Sequence, residues 1–429
     1  MAGRLTLGHD WPVTALDDLE AELAAVAARE PAVQAWTARH SDNELRARVT
    51  EAAAGGGPLA GWTLGVKDVI DTADLPTGRG SPIYTGRHPT EDAACVALAR
   101  AAGAVVAGKT TTTEFALFTP TATTNPHNGT RTPGGSSSGS AAAVAAGMVR
   151  AAYGTQTVGS VLRPAAFCGV VGFKGSHGAV PMNGVGALAL SLDTLGWHTR
   201  SVADAAILQA VLTGAAPAVP PTHGGSGAPR LGLYRSHVWD RAQPELEPLL
   251  AVVTDRLRVA GADVVELDPA PHLAPVVDAG AVILAVESAL VFAWERAHHA
   301  DQIHPKILRL FARGDRTDRA EYHEAQRTVA AARAAHDRWL DDLGVDALLT
   351  PSAPGEAGPI DTTGDSIFNA TWSTLGVPTI QIPAGTGPLG LPLGVQLAGR
   401  RWSDAALFAP AAWVEAALAV ATPIEITSS

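Results

Sequence analysis

Short apolar runs, each the length of one strand, alternate with segments of helical period along most of this chain. That alternation restricts it to an α/β fold with a largely parallel or mixed sheet. Strand candidates are Trp62–Ile70, Ala104–Gly108, Ala151–Thr157, Leu231–Tyr234, Asp263–Leu267, Asp346–Thr350, Thr379–Ile382 and Leu393–Leu397. Helices are expected at Thr14–Glu30, Asp92–Ala102, Ser140–Met148, Glu245–Ala260, through much of His272–Leu343, and at Asp404–Leu418. Leu16, Leu19, Leu23 and Val26 give the first of these its 3.6-residue period, and Thr14 with Asp17 reads as its capping box. Thr119–Ser138 lacks any period and reads as a long loop. Gly214–Pro229 (GAAPAVPPTHGGSGAP) reads as a surface linker. With strands on both sides of it, the 429 residues are read as one domain.

Composition removes several function classes. The net charge is −11 with no Lys/Arg-rich run, so no nucleic-acid footprint is expected. Cys95 and Cys168 are the only cysteines, which argues against a disulfide framework and a cysteine-based metal site. No uninterrupted apolar run suits a membrane span, and the first twenty residues lack the apolar core of a signal peptide. The expected compartment is the cytoplasm.

Two short motifs suggest chemistry that their context does not support. Gly103-Ala-Val-Val-Ala-Gly-Lys109-Thr110 matches the phosphate-loop pattern. Its interval AVVA, however, is itself a strand candidate, and a buried strand cannot present its amides to phosphate. Gly135-Ser136-Ser137-Ser138-Gly139 matches the nucleophile elbow of α/β-hydrolases, with Ser137 as nucleophile. That elbow needs a preceding strand, and here a Pro/Asn loop precedes it.

A third set of features is stronger because of its order. Lys67 lies inside the apolar strand GVKDVID. A lysine there is either a solvated edge residue or a buried amine with an altered pKa. PGGSSSGSAAAVAAG (133–147) joins a Gly-Ser loop directly to a run of strong helix formers, so the loop is anchored rather than flexible. GTQTVGSVLRPAAFCGVVGFK (154–174) carries Ser160 in a turn between two apolar stretches.

In this sequence order the three segments, together with GVPTIQIPAGTGPLGLPLGVQLAGRRWSDAALFAPAAWVEAAL (376–418), resemble the amidase signature family. The signature core covers about residues 60–200, and the likeness is weakest between about 214 and 345. The resemblance implies a large, central, mostly parallel or mixed twisted sheet covered by helices on both faces. It implies Ser160 as nucleophile, Ser136 as bridging serine with a cis peptide bond, and Lys67 as base. It implies an oxyanion hole of backbone N–H groups at Thr157, Val158, Gly159 and Ser160. It implies no cofactor and no metal, a small-molecule amide substrate, and a homodimer.

The chemistry needs these residue types. A serine hydroxyl is a weak nucleophile without a base. A free lysine titrates near about 10.4 and becomes a base at neutral pH only when burial lowers that value. Asp68 points to the other face of the strand, so it is not expected to hold Lys67 charged. The substrate side is expected to include Gly134, Gly135, Ala116, Phe118 and Trp372. The chain departs from the family pattern at Gln156, where many members have Asp, at Val158, where many have Gly, and at Arg163, three residues after the serine instead of two. These changes suggest neutral contacts in place of an ion pair. The expected substrate is therefore a neutral aryl or alkyl amide, or a carbamate, cleaved through an acyl-enzyme. Three other readings stand beside it: an amidotransferase subunit passing ammonia to a partner, an esterase using Ser137, and a nucleotide binder.

Overall fold

A computed structural model describes residues 15–215, 227–419 and 424–427. Thr14 and most of the Gly/Pro-rich linker lie outside these residues.

Eleven strands occur among the described residues: β1 (Trp36–Arg39), β2 (Thr63–Lys67), β3 (Val105–Thr110), β4 (Ala151–Gln156), β5 (Val171–Lys174), β6 (Thr194–Thr199), β7 (Arg230–Tyr234), β8 (Asp263–Leu267), β9 (Ala347–Pro351), β10 (Thr379–Thr386) and β11 (Pro392–Ala398). They form one mixed sheet in the order β1-β3-β2-β4-β6-β5-β10-β11-β9-β7-β8. Pairing is parallel along β3-β2-β4 and along β8-β7-β9, and antiparallel elsewhere. Strands from both sides of the linker thus share one sheet.

The two faces are covered separately because successive strand residues point in opposite directions. Leu64, Val66, Val106, Ala151 and Tyr153 join one core with Val96 and Ala99 of the Ala94–Ala101 helix. Val105, Ala107 and Ala152 join the other, with Leu19 and Leu23 of the Ala15–Val33 helix and Ala141–Val144. The Ser138–Ala145 helix is buried along nearly its whole length. Its small side chains let its backbone lie close against the sheet. At Gly139 an added Cβ would stand 2.2 Å from the Ala35 carbonyl oxygen and 2.4 Å from the Thr111 nitrogen.

The segment read as a phosphate loop is strand β3, buried at every position. Lys109 in it pairs with Asp68 at 3.3 Å and donates to Thr77 Oγ1 at 2.6 Å. Its amine is committed to the fold and is not available to phosphate. One described stretch, Pro271–Val291, is long and apolar enough to cross a membrane, but half of it is buried inside the fold.

Gly139→Ala is expected to lower stability by about 1–3 kcal/mol, the usual range for overpacking. Urea denaturation followed by circular dichroism checks this, as a lower midpoint at unchanged slope.

Candidate active site

Strand β2 ends at Lys67, which lies on the sheet face opposite Val66 and is fully buried. Its Nζ donates to Ser136 Oγ at 2.7 Å, to Thr155 Oγ1 at 2.9 Å and to the Thr155 carbonyl at 3.3 Å. No carboxylate lies within ion-pair distance of it among the described residues. Burial pushes its pKa well below the ordinary 10.5; Asp193 pulls it upward at longer range, and Arg163 pushes it down. Asp68, one residue on, faces the other way and is satisfied by Lys109 and the Gly78 amide.

Ser136 comes from the loop leading into the Ser138–Ala145 helix, and the Gly135–Ser136 peptide is cis. The serine turn sits directly above. The Ser137 amide donates to the Ser160 carbonyl at 3.2 Å, joining the two segments. Among the described residues, the backbone amides of Val158, Gly159 and Ser160 donate to no protein acceptor. The turn packs so closely on the Ile367–Leu375 helix that a Cβ on Gly159 would stand 2.6 Å from Ser366 Cβ.

Gln156 anchors this turn from below. Its Oε1 accepts from the Val161 amide at 2.7 Å and the Leu162 amide at 2.9 Å, and its Nε2 donates to Ser373 Oγ at 2.8 Å. Ser373 Oγ in turn donates to the Val158 carbonyl at 2.5 Å. These are the neutral contacts expected of a glutamine here. His198 adds a ring nitrogen 3.0 Å from the Val161 carbonyl, and burial pushes its pKa down to about 4.

Thr157, Val158, Gly159 and Ser160 line a cavity of about 330 Å³, as do Ala116 and Phe118. Lys67 and Ser136 lie beneath this wall and are sealed from it. Leu188, Val277, Ala281, Leu284, Ile367 and Ala370 add an apolar lining. Sequence reasoning missed these six. Val277, Gly280, Ala281 and Leu284 recur at helical spacing, so their common face was readable, but not that it borders the serine turn.

Three expected substrate residues are placed differently. Trp372 is not on the cavity wall. Ile367, Ala370 and Thr374 of its helix face the cavity, and Trp372 projects from another face of the same helix. There it packs against Tyr234 and His336, with ring centroids 6.0 and 5.9 Å away. Gly134 and Gly135 are also absent from the wall, because their carbonyls turn inward. Gly134 accepts from Ser138 Oγ at 2.8 Å, and Gly135 accepts from Arg163 Nη2 at 2.5 Å. Ser137 is fully buried with its Oγ on the Thr155 carbonyl, so it has no access to a substrate.

Arg163 lines the cavity beside Ser160. Its guanidinium donates to the Gly364 and Gly135 carbonyls, and Nε has no partner. Burial lowers its pKa to about 10, so it remains charged at neutral pH. Asp365, the other charged lining residue, is engaged by Arg241 at 2.6 Å. Arg163 is thus a buried cation without a carboxylate partner, which corrects the expectation of a wholly neutral site.

Comparison with known proteins agrees with this geometry. The amidase family model matches residues 19–408. The chain is 33% identical to the A-type subunit of the glutamyl-tRNA(Gln) amidotransferase of Roseiflexus sp. (strain RS-1), over 92% of this chain and 91% of that one. It superposes on the peptide amidase of Stenotrophomonas maltophilia with a TM-score of 0.79, at 29% identity over 96% of this chain and 95% of that one. A chain solved in work on a vestigial protein complex and the origins of an s-triazine catabolic enzyme superposes with a TM-score of 0.84, at 27% identity over 97% of both. Sheet, serine turn, buried lysine and a match along nearly the whole sequence agree: the chain belongs to the amidase family.

Proposed function

We propose that this chain cleaves the C–N bond of a carboxylic amide through an acyl-enzyme on Ser160, with Ser136 as relay and Lys67 as base. The observation that carries this is the Lys67 amine, buried away from any carboxylate, 2.7 Å from Ser136 and beneath the turn that bears Ser160. A neutral amine there takes the Ser136 proton as Ser136 takes that of Ser160. Ser160 Oγ then bonds to the carbonyl carbon. The free amides of Val158, Gly159 and Ser160 are placed to receive the oxyanion. The relay returns the proton to the leaving nitrogen, the C–N bond breaks, and water later releases the acid.

The cavity supports a substrate class. Its wall is apolar apart from Arg163 and a few hydroxyls. A buried cation without a counter-ion is costly, and a substrate anion would remove that cost. We read the acyl portion as an alkyl or aryl body carrying a carboxylate or another strong acceptor toward Arg163.

A second reading is favoured by the curated relatives, which carry it further than they carry a stand-alone hydrolase. In it, the same acyl-enzyme step releases ammonia to a partner protein, as the name of the Roseiflexus relative indicates for that protein. Assay of the purified single chain separates the two. Amide turnover without partners supports the hydrolase, and turnover that appears only with partner proteins supports the transferase reading.

Labelling with a fluorophosphonate probe, mapped by mass spectrometry, tests the shared chemistry. Modification is expected at Ser160 and abolished in Ser160→Ala; modification at Ser137 would overturn the assignment. Lys67→Ala is expected to slow labelling by about 10²–10⁴-fold, the range for loss of a general base.

The rate of labelling is expected to rise with pH and level off above a midpoint well below 10.5. The sign follows from the chemistry: Lys67 acts only after losing its proton, and burial makes that loss easier. Lys67→Arg, which stays charged, is expected to abolish the rise.

Arg163→Gln is expected to cut the preference for carboxylate-bearing over neutral amides by about 10–100-fold, as for loss of one charge-assisted hydrogen bond. The ratio of kcat/KM values across a substrate panel reads this. An unchanged ratio would remove the substrate class and leave the nucleophile untouched.

A further inference from the structure

We propose that Asp193 is a positioning residue of the oxyanion turn, tying that turn to the wall of the acyl cavity. The inference rests on the reading of Ser160 as nucleophile. Asp193 is buried, with no lysine, arginine or histidine in ion-pair distance among the described residues. Its carboxylate is held by three neutral donors. Oδ1 accepts from Thr157 Oγ1 at 2.6 Å, and Oδ2 accepts from the Leu188 and Ala189 amides at 2.7 and 3.0 Å.

These bonds join two segments distant in sequence. Thr157 opens the turn whose next three amides are free. Leu188 is part of the cavity wall. The same loop is fixed at Ser191, whose amide donates to Glu287 Oε2 at 2.8 Å and whose hydroxyl donates to Oε1. Glu287 lies on the Val276–Val291 helix, which presents Val277, Ala281 and Leu284 to the cavity. Tyr322 donates to Glu287 from behind at 2.9 Å. A continuous set of hydrogen bonds thus runs from the helix bordering the acyl group to the first residue of the oxyanion turn.

The charge of Asp193 points the same way. Burial pushes its pKa up to about 6, so it is an anion at neutral pH. As an anion it pulls the pKa of Lys67 upward, against the neutral form that the base requires. A group kept at the site despite opposing the base acts through what it holds in place, which is Thr157 and the 188–193 loop.

The test measures phosphonylation of Ser160, in which its Oγ displaces fluoride from the probe and its proton passes to Lys67 through Ser136. Maximal rate and probe affinity are determined separately for wild type, Asp193→Ala, Thr157→Val and the double variant. Each single variant is expected to lose about 10²-fold in maximal rate, the scale of one oxyanion donor, with affinity kept within about 3-fold. The double variant is expected to lose no more than about 3-fold beyond either single one, because both remove one linkage. Wild-type rates in the single variants, or losses that multiply in the double variant, would overturn the proposal. If Asp193→Ala does not fold, Thr157→Val carries the test alone, since it leaves the other two bonds to Asp193. A tenfold or greater drop then upholds the proposal. Wild-type protein that is not labelled at Ser160 would instead overturn the nucleophile reading, a distinct result.

Discussion

The burial of a lysine amine in a strand is the constraint on which the rest of this site depends. An ammonium taken out of water is costly unless it is paired, and pairing it with a carboxylate would remove its use as a base. The fold avoids both through the strand pleat. Lys67 and Asp68 are neighbours in sequence and lie on opposite faces of the sheet. Asp68 meets Lys109 on one side, at 3.3 Å. Lys67 meets only hydroxyls and a carbonyl on the other. Two lysines on neighbouring strands, both deeply buried, are thereby given different electrostatic surroundings. Lys109 is an ion-pair partner, and Lys67 is left free to become neutral.

The same economy of charge extends to Gln156. A carboxylate at this position, at the end of β4 and on the same side as the buried amine, would favour the ammonium form. The glutamine makes its three hydrogen bonds without charge. It holds the amides of Val161 and Leu162 at the start of the following helix and the hydroxyl of Ser373. The serine turn is therefore fixed from below by a neutral side chain, from the side by the Thr157–Asp193 bond, and from above by the close approach of Gly159 to Ser366. Three supports from separate parts of the chain hold one four-residue turn. Such over-determination is what preorganised donors require, because a donor that must reorganise loses its advantage.

Much of this was legible in the sequence, and the remainder was not for identifiable reasons. Long apolar strands and the Gly-Ser loop running into an Ala-rich helix announce themselves, and so does the order lysine, loop, serine turn. Strands β1, β5 and β6 escaped notice. WTAR and VGFK are too short to show a period, and the glycine and histidine of TLGWHT look like loop composition. Trp372 was misplaced because an aromatic residue near the end of a signature chain suits a pocket and a core equally. Only the helix phase, with Ile367, Ala370 and Thr374 on the cavity face, separates the two. Asp193 carries no local motif. Its role arises from a hydrogen bond across 36 residues, and no window on the sequence shows that.

The division of labour along the chain follows from these facts. Lys67, Ser136 and the serine turn fall within the signature core, and the match to amidase relatives is built around them. Much of the cavity wall falls elsewhere, on Val277–Leu284 and Thr363–Thr374, with Leu188 and Arg163 as the contributions of the core. Forming an acyl-enzyme and choosing its acyl group are thus carried by different stretches of sequence. A hydrolase and an amidotransferase component share the first of these tasks completely. They differ in what reaches the acyl-enzyme and where the released nitrogen goes, matters governed by the cavity wall and the surface around it. Identity spread over the whole chain is dominated by the fold and the shared task, so it draws both kinds of relative to this sequence. The residue that departs from both pattern and expectation, Arg163, stands where the core meets the variable wall. There a single charge can change which amide is admitted without altering how its bond is broken.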